Sequence, residues 1–139
     1  MTDAAKQLSA AHRALARTDR ELRTEDLAEN SFAARSRLQA LRCETRTLRR
    51  ELISTKRQMR RERVRLKTSG WSLEPADRWR LKTLVRASKL ESAACKRSIH
   101  DARRILTVIS DRLRDWGQEA EPPQGADPGR RDARRISKP

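Results

Sequence analysis

The sequence has few of the residues that build a large hydrophobic core. It contains no tyrosine, one phenylalanine and three tryptophans among 139 residues, and apolar residues make up only 35% of the chain. A thick, multilayer core cannot be assembled from this composition. Charged residues reach 38%, a proportion typical of long helices that each bury one narrow stripe. We therefore expect a single, thinly packed, all-α domain.

Cysteine is also scarce, since Cys43 and Cys95 are the only two. They form no CxxC pair and have no histidine at ligand spacing, which excludes a zinc finger and a disulfide framework. We expect both to be small buried residues in a reducing compartment. His12 and His100 stand apart from any carboxylate cluster, and no nucleophile elbow, P-loop or paired-acid motif occurs. The sequence predicts no enzyme, catalytic residue, metal or cofactor.

Long apolar runs are missing as well. The segment from Met1 to Lys6 lacks the apolar stretch of a signal peptide, and no part of the chain approaches the roughly 20 apolar residues of a membrane span. We expect a cytoplasmic or nuclear protein. Binding to a membrane surface ranks last among the possible interactions, because no bulky Trp, Phe or Leu side chains lie opposite the basic face of the predicted helices.

Glycine and proline interrupt the first 117 residues only at Gly70, Pro75 and Gly117. These positions mark where helices can end, and a slip in the apolar pattern near Thr24 is either a turn or a stutter within one continuous helix. A helical domain over 1–117 is predicted, with helices over about 3–27, 31–68 and 73–116. The remaining 118–139, rich in Pro, Gly and Arg-Arg pairs, are predicted to be a disordered basic tail.

Two apolar stripes predict a long hairpin. Mostly apolar or small residues, which we call seam residues, recur at alternating spacings of four and three, the heptad pattern of a coiled coil. In the second predicted helix they are Ala34, Leu38, Leu41, Thr45, Leu48, Leu52, Thr55, Met59, Glu62 and Leu66. In the third they are Leu81, Val85, Ser88, Ser92, Cys95, Ile99, Ala102, Leu106, Ile109, Leu113 and Trp116. Because only a short turn around Gly70 joins these two helices, we expect an antiparallel, coiled-coil-like hairpin about 55 to 60 Å long.

The hairpin makes specific pairings testable. Folding at Gly70 predicts Met59 beside Leu81 and Leu52 beside Ser88. The small seam residues bury little area, so we expect added stability from the N-terminal helix as a third member of the bundle, from a second copy of the chain, or from both. Trp79 and Trp116 are predicted to pack in the core, and Trp71 to cover the helix ends.

Among the residues that the sequence does contain, positively charged side chains dominate. The net charge is +15, and residues 31–68 hold thirteen Lys or Arg against three Glu, whereas residues 69–117 hold eleven against six acids. Such a surface favours polyanionic partners, because its like charges repel one another until an external anion neutralises them. The candidate site consists of cations on the second predicted helix: Arg42, Arg46, Arg49, Arg50, Lys56, Arg57, Arg60, Arg61, Arg63 and Lys67.

Two functional hypotheses follow, beside the simpler interpretation that this face only keeps the protein soluble. The first is sequence-independent binding to the phosphates of a nucleic acid, RNA slightly ahead of DNA, by a homodimer. The second is a coiled-coil adaptor, stalk or scaffold that docks on an acidic protein. In shape alone, the predicted hairpin resembles viral helical-hairpin proteins that sheathe double-stranded RNA and small basic stalk proteins of type III export machines. No zinc-finger, KH or sheet-borne aromatic motif indicates base-specific recognition.

Overall fold

The computed structural model describes residues 3–69 and 74–120, with side chains placed as far as Gly117. The described residues form four helices and no strand, which confirms the all-α class. The predicted turn at 70–72 lies outside the described residues, as does the predicted tail except for the end of the last helix. The helices are α1 (Asp3–Leu22), α2 (Glu25–Ala28), α3 (Phe32–Ser69) and α4 (Pro75–Ala120).

The slip in the apolar pattern near Thr24 is a turn that reverses the chain, and not a stutter within one helix. The backbone leaves α1 after Leu22, makes the single-turn α2 and enters α3 at Phe32. The Ser31 hydroxyl oxygen accepts a hydrogen bond from the Ala34 backbone N–H at 3.1 Å. That bond satisfies one of the free amides at the start of α3, as an N-cap residue does.

Helix α1 folds back onto the hairpin as a third helix. Near its start, the Thr55 hydroxyl donates to the Gln7 side-chain oxygen at 3.4 Å, and near its end Arg37 pairs with Glu21. The start of α1 therefore lies beside the later part of α3, so the two helices are antiparallel. The bundle has three long helices, with α2 as part of the turn.

Helices α3 and α4 form the predicted antiparallel hairpin in a different register. The Cys95 thiol donates to the Leu52 carbonyl oxygen at 3.1 Å, and Ser92 Oγ lies 3.9 Å from Met59 Sδ. The predicted pairing of Leu52 with Ser88 and of Met59 with Leu81 is therefore wrong by two to three helical turns. A heptad stripe repeats every seven residues, so sliding one helix by a heptad still buries an apolar stripe.

The core is a narrow stripe between the three long helices. Leu38 and Ile109 are fully buried, and Trp116 is only 7% exposed, as predicted. Trp79 is 69% exposed, so its predicted packing is wrong. All described residues from Glu74 to Arg80 are exposed, because this first part of α4 is not covered by the described parts of α1 and α3.

The two cysteines occupy different environments. Cys95 is buried in the seam and Cys43 is exposed, so the predicted burial is confirmed for Cys95 and wrong for Cys43. Cys43 lies two residues after the buried Leu41, on the outer surface of α3, where the heptad places polar side chains. Desolvation by burial raises the pKa of the Cys95 thiol, while the nearby Lys56 charge partly opposes that shift.

Candidate nucleic-acid interface

Helix α1 covers only one side of the α3–α4 hairpin. On α3, the residues just before seam positions Thr45 and Leu52 are Glu44 and Glu51, and both line a depression shared with α1. On α4, Asp101 comes just before the seam residue Ala102 and lines another depression with α1. In a heptad-patterned helix, the residue before a seam position and the residue after it lie on opposite edges of the seam.

The residues just after the seam positions therefore face away from α1, on a surface that we call the open face. On α3 most of them are lysine or arginine and none is acidic. The cations among them are Arg35, Arg42, Arg46, Arg49, Lys56, Arg60, Arg63 and Lys67. The carboxylates that flank the hairpin seam thus lie toward α1, and the charged residues of the open face are all cations.

Five cations of the open face recur once per heptad and form what we call the inner row: Arg35, Arg42, Arg49, Lys56 and Arg63. All five are half-buried, and successive members lie about 10.5 Å apart along α3 at 1.5 Å per residue. The Nε atoms of the three N-terminal arginines in this row are buried without a hydrogen-bond partner. Their aliphatic stems therefore pack along the hairpin, which restricts where the guanidinium groups can point.

Arg63 already has partners in the hairpin. Its Nη1 donates to the Ser88 carbonyl oxygen at 3.3 Å and to the Ser88 hydroxyl oxygen at 3.1 Å, and it also bonds the Ser92 hydroxyl oxygen. All of these acceptors are uncharged, so the positive charge of Arg63 stays uncompensated. This member of the candidate site links α3 to α4 in addition to carrying charge.

The other six predicted site residues are exposed and form the outer cations: Arg46, Arg50, Arg57, Arg60, Arg61 and Lys67. Three of them, Arg57, Arg60 and Arg61, surround Val64 in a shallow surface depression. Val64 is itself 58% exposed. The structure thus divides the ten predicted site residues into four half-buried members of the inner row and six exposed outer cations. Arg35, the fifth member of the inner row, was not predicted.

No predicted site residue forms an ion pair within the described part of the chain. The ion pairs there use Arg23, Arg37, Arg104 and Arg114. Arg37 lies before the seam residue Leu38, on the side of α1, and Glu21 receives two of its hydrogen bonds. The carboxylates therefore neutralise arginines elsewhere and leave the α3 part of the open face with its full positive charge.

The described residues offer little support for other kinds of site. No group of three or more His, Cys, Asp or Glu side chains among them could hold a metal ion, and His12 and His100 are exposed. No helix within the described ranges is both long enough and apolar enough to cross a bilayer. Comparisons with protein-family models, curated proteins and solved structures found no match to this chain.

Three cations of α4 escaped the sequence-based prediction. Lys89, Lys96 and Arg103 are exposed and follow the hairpin-facing residues Ser88, Cys95 and Ala102. They therefore lie on the open face together with the inner row. The sequence carries a signal for them, one cation per heptad, but their side of α4 is defined only once α1 has been placed.

Proposed function

We propose that this protein is a non-enzymatic nucleic-acid-binding protein that contacts the phosphate backbone of an RNA or DNA duplex through the cations of α3. One observation carries the proposal: the cations that α3 contributes to the open face have no carboxylate partner among the described residues. Phosphate oxygens are the acceptors that planar guanidinium groups bind in a bidentate manner.

The distribution of cations and aromatics favours contact with a duplex backbone. The outer cations extend from Arg46 to Lys67, about 31 Å along the helix, which is close to one turn of duplex at about 34 Å. The sequence has no aromatic residue between Phe32 and Trp71. Proteins that bind single strands without sequence preference combine a basic groove with aromatic platforms on which bases stack, so this face fits phosphates better than bases.

The proposal predicts binding that weakens steeply with salt. If about six phosphates are neutralised, the affinity falls on the order of 10³-fold between about 50 and 200 mM salt. Labelled duplex and single-stranded RNA and DNA should be titrated at both salt concentrations. Micromolar or weaker binding to all four ligands at the lower salt concentration would remove the proposal.

A matched pair of charge-reversal variants locates the site. Arg46→Glu, Arg57→Glu and Arg60→Glu combined should abolish duplex binding at moderate salt. The control combines Arg13→Glu, Arg17→Glu and Arg97→Glu, which change the net charge equally at exposed positions of α1 and α4. Long-range electrostatics alone would weaken both variants alike, whereas the proposal predicts a much larger loss in the α3 variant.

An acidic protein partner is the second candidate, because apolar side chains accompany the cations. Ile53 on α3 and Leu106 on α4 are half-buried, and a helix that combines carboxylates with apolar residues could use both kinds of contact. An adaptor, stalk or scaffold role would then apply. In a nuclease-treated lysate, the α3 charge-reversal variant should lose a protein that the wild-type chain retains, while an unchanged pull-down would count against this candidate.

A further inference from the structure

Lys89, Lys96 and Arg103 face the inner row across the seam. Lys96 follows Cys95, whose thiol lies close enough to Lys56 for its pKa to respond to that charge. Lys89 follows Ser88, which accepts hydrogen bonds from Arg63. The cations of α3 and the cations of α4 therefore lie on either side of the same stretch of seam, on the open face.

The strip of surface between these two lines of charge follows the contact between α3 and α4, and we call it the groove. Ile99 and Leu106 are half-buried, and Ile99 packs against the core from the edge of the seam. Two facing lines of like charge over a low-dielectric floor concentrate the positive potential between them. We therefore expect the groove to attract an anion more strongly than the exposed outer cations do.

The same charge pattern excludes one occupant of the groove. In a two-fold dimer, a surface meets its own copy. No residue that follows a seam position of α3 or α4 is acidic within the described range. Two open faces brought together would therefore oppose cations with cations, so a two-fold dimer cannot cover this groove with its own copy.

We infer that the nucleic-acid phosphates bind in this groove between two helices, with Lys89, Lys96 and Arg103 of α4 as its second wall. The inference rests on the proposed function and extends the site to residues on α4. The inner row contributes preorganisation, because its packed arginine stems have less rotational freedom to lose on binding than exposed side chains have. A bound backbone would bridge α3 and α4.

Neutral substitutions on α4 test the second wall. Lys89→Gln, Lys96→Gln and Arg103→Gln are combined, and the control combines Arg13→Gln, Arg17→Gln and Arg97→Gln. If the three α4 cations each neutralise a phosphate, the slope of log affinity against log salt should become shallower by about 2 to 3 for the first variant. The slope should stay unchanged for the control, because its residues lie outside the groove. Circular dichroism verifies that both variants keep their helices.

The outcomes separate the two proposals. If wild type binds duplex and the α4 variant keeps the wild-type slope, the second wall is wrong while the proposed function stands. If wild type fails to bind duplex at low salt, both are overturned. Selective retention of an acidic protein by wild type, lost in the α4 variant, would then reassign the groove to a protein partner and overturn the inference for phosphates.

Cross-linking offers a measurement that does not depend on affinity. In a Cys43→Ser background, a photoactivatable cross-linker is attached to a cysteine introduced as Lys96→Cys or, as the neighbouring control, Arg97→Cys. Arg97 lines a depression with α1, so it points away from the open face. We expect the duplex to be cross-linked from position 96 and far less from position 97. Equal cross-linking yields from positions 96 and 97 would overturn the inference that the duplex binds in the groove.

Discussion

The Nη1 atom of Arg112 donates a hydrogen bond to the backbone carbonyl oxygen of Leu22 at 2.7 Å. The same nitrogen lies 3.5 Å from the Leu27 carbonyl oxygen. These carbonyls belong to the last turn of α1 and to α2, where helix ends leave acceptors without intrahelical donors. One side chain of α4 therefore anchors the connection that brings α1 back onto the hairpin.

Replacing this anchor should destabilise the bundle. Arg112→Met keeps an unbranched apolar stem but removes the charged donor, and we expect a loss of about 1.5 to 3 kcal/mol in the free energy of unfolding. Urea denaturation monitored by circular dichroism measures it. Arg97→Met, at an exposed position on the same helix, should change stability by less than about 0.5 kcal/mol. Equal midpoints for the two variants would show that Arg112 anchors nothing.

Burial along the seam predicts a second contrast between two leucines. Leu38 is fully buried, whereas Leu90 is 69% exposed. Leu38→Ala should cost about 2 to 5 kcal/mol through lost burial and a residual cavity. Leu90→Ala should cost less than about 0.5 kcal/mol. Urea midpoints again provide the measurement, and a mild effect at Leu38 would contradict the packing of this stripe.

The two thiols should differ sharply in reactivity. Cys43 is exposed, while burial both blocks access to Cys95 and raises its pKa, which lowers the thiolate fraction that reacts. Under native conditions iodoacetamide should add one adduct, as read by mass spectrometry, and a second should appear only in denaturant. Cys43→Ser should remove the first adduct. Rapid double labelling of the native protein would be incompatible with a buried Cys95.

The Glu21–Arg37 pair predicts a pH dependence of stability. The Arg37 guanidinium hydrogen-bonds the Glu21 carboxylate and lowers its pKa. Because the folded-state pKa is depressed, this pair stabilises the fold above the ordinary glutamate pKa of about 4.3, and the contribution is lost as the pH falls through the folded value. At neutral pH, Glu21→Gln should cost no more than about 1 kcal/mol, since both groups are partly exposed.

Thermal melts across the acid range test that dependence. The gap in melting temperature between wild type and Glu21→Gln should be widest at neutral pH and close as the pH approaches the folded-state pKa of Glu21. Glu29→Gln is the control, because Glu29 is exposed and its side chain has no ion pair in the described residues. A difference in melting temperature that stays constant with pH would assign the effect of Glu21→Gln to lost packing and not to the ion pair.

The heptad pattern predicted the hairpin because apolar periodicity reflects which side of a helix is buried. It could not set the register, since small residues such as Thr45, Ser88 and Cys95 accept several alignments at similar cost. Specific polar contacts distinguish them, above all the bonds from Arg63 to Ser88 and Ser92. These contacts depend on single residues, so they produce no periodic pattern in the sequence.

The candidate site, like the hairpin, could be predicted only in part from the sequence. The concentration of cations on α3 is visible in the sequence, and the structure leaves them without carboxylate partners within the described residues. Their division into an inner row and outer cations depends on where α4 packs, and the role of Lys96 depends on where α1 packs. Both depend on how the helices pack against one another, which residue spacing along a single helix does not determine.

The sorting of carboxylates toward α1 also affects how several molecules could share one ligand. Two hairpins would repel each other when their open faces approach, whereas under the proposed function each would bind the same polyanion. Neighbouring molecules would then meet across a nucleic acid and not through direct contact of these surfaces. The nucleic acid would hold the protein molecules together, and its removal would leave only the repulsion between their open faces.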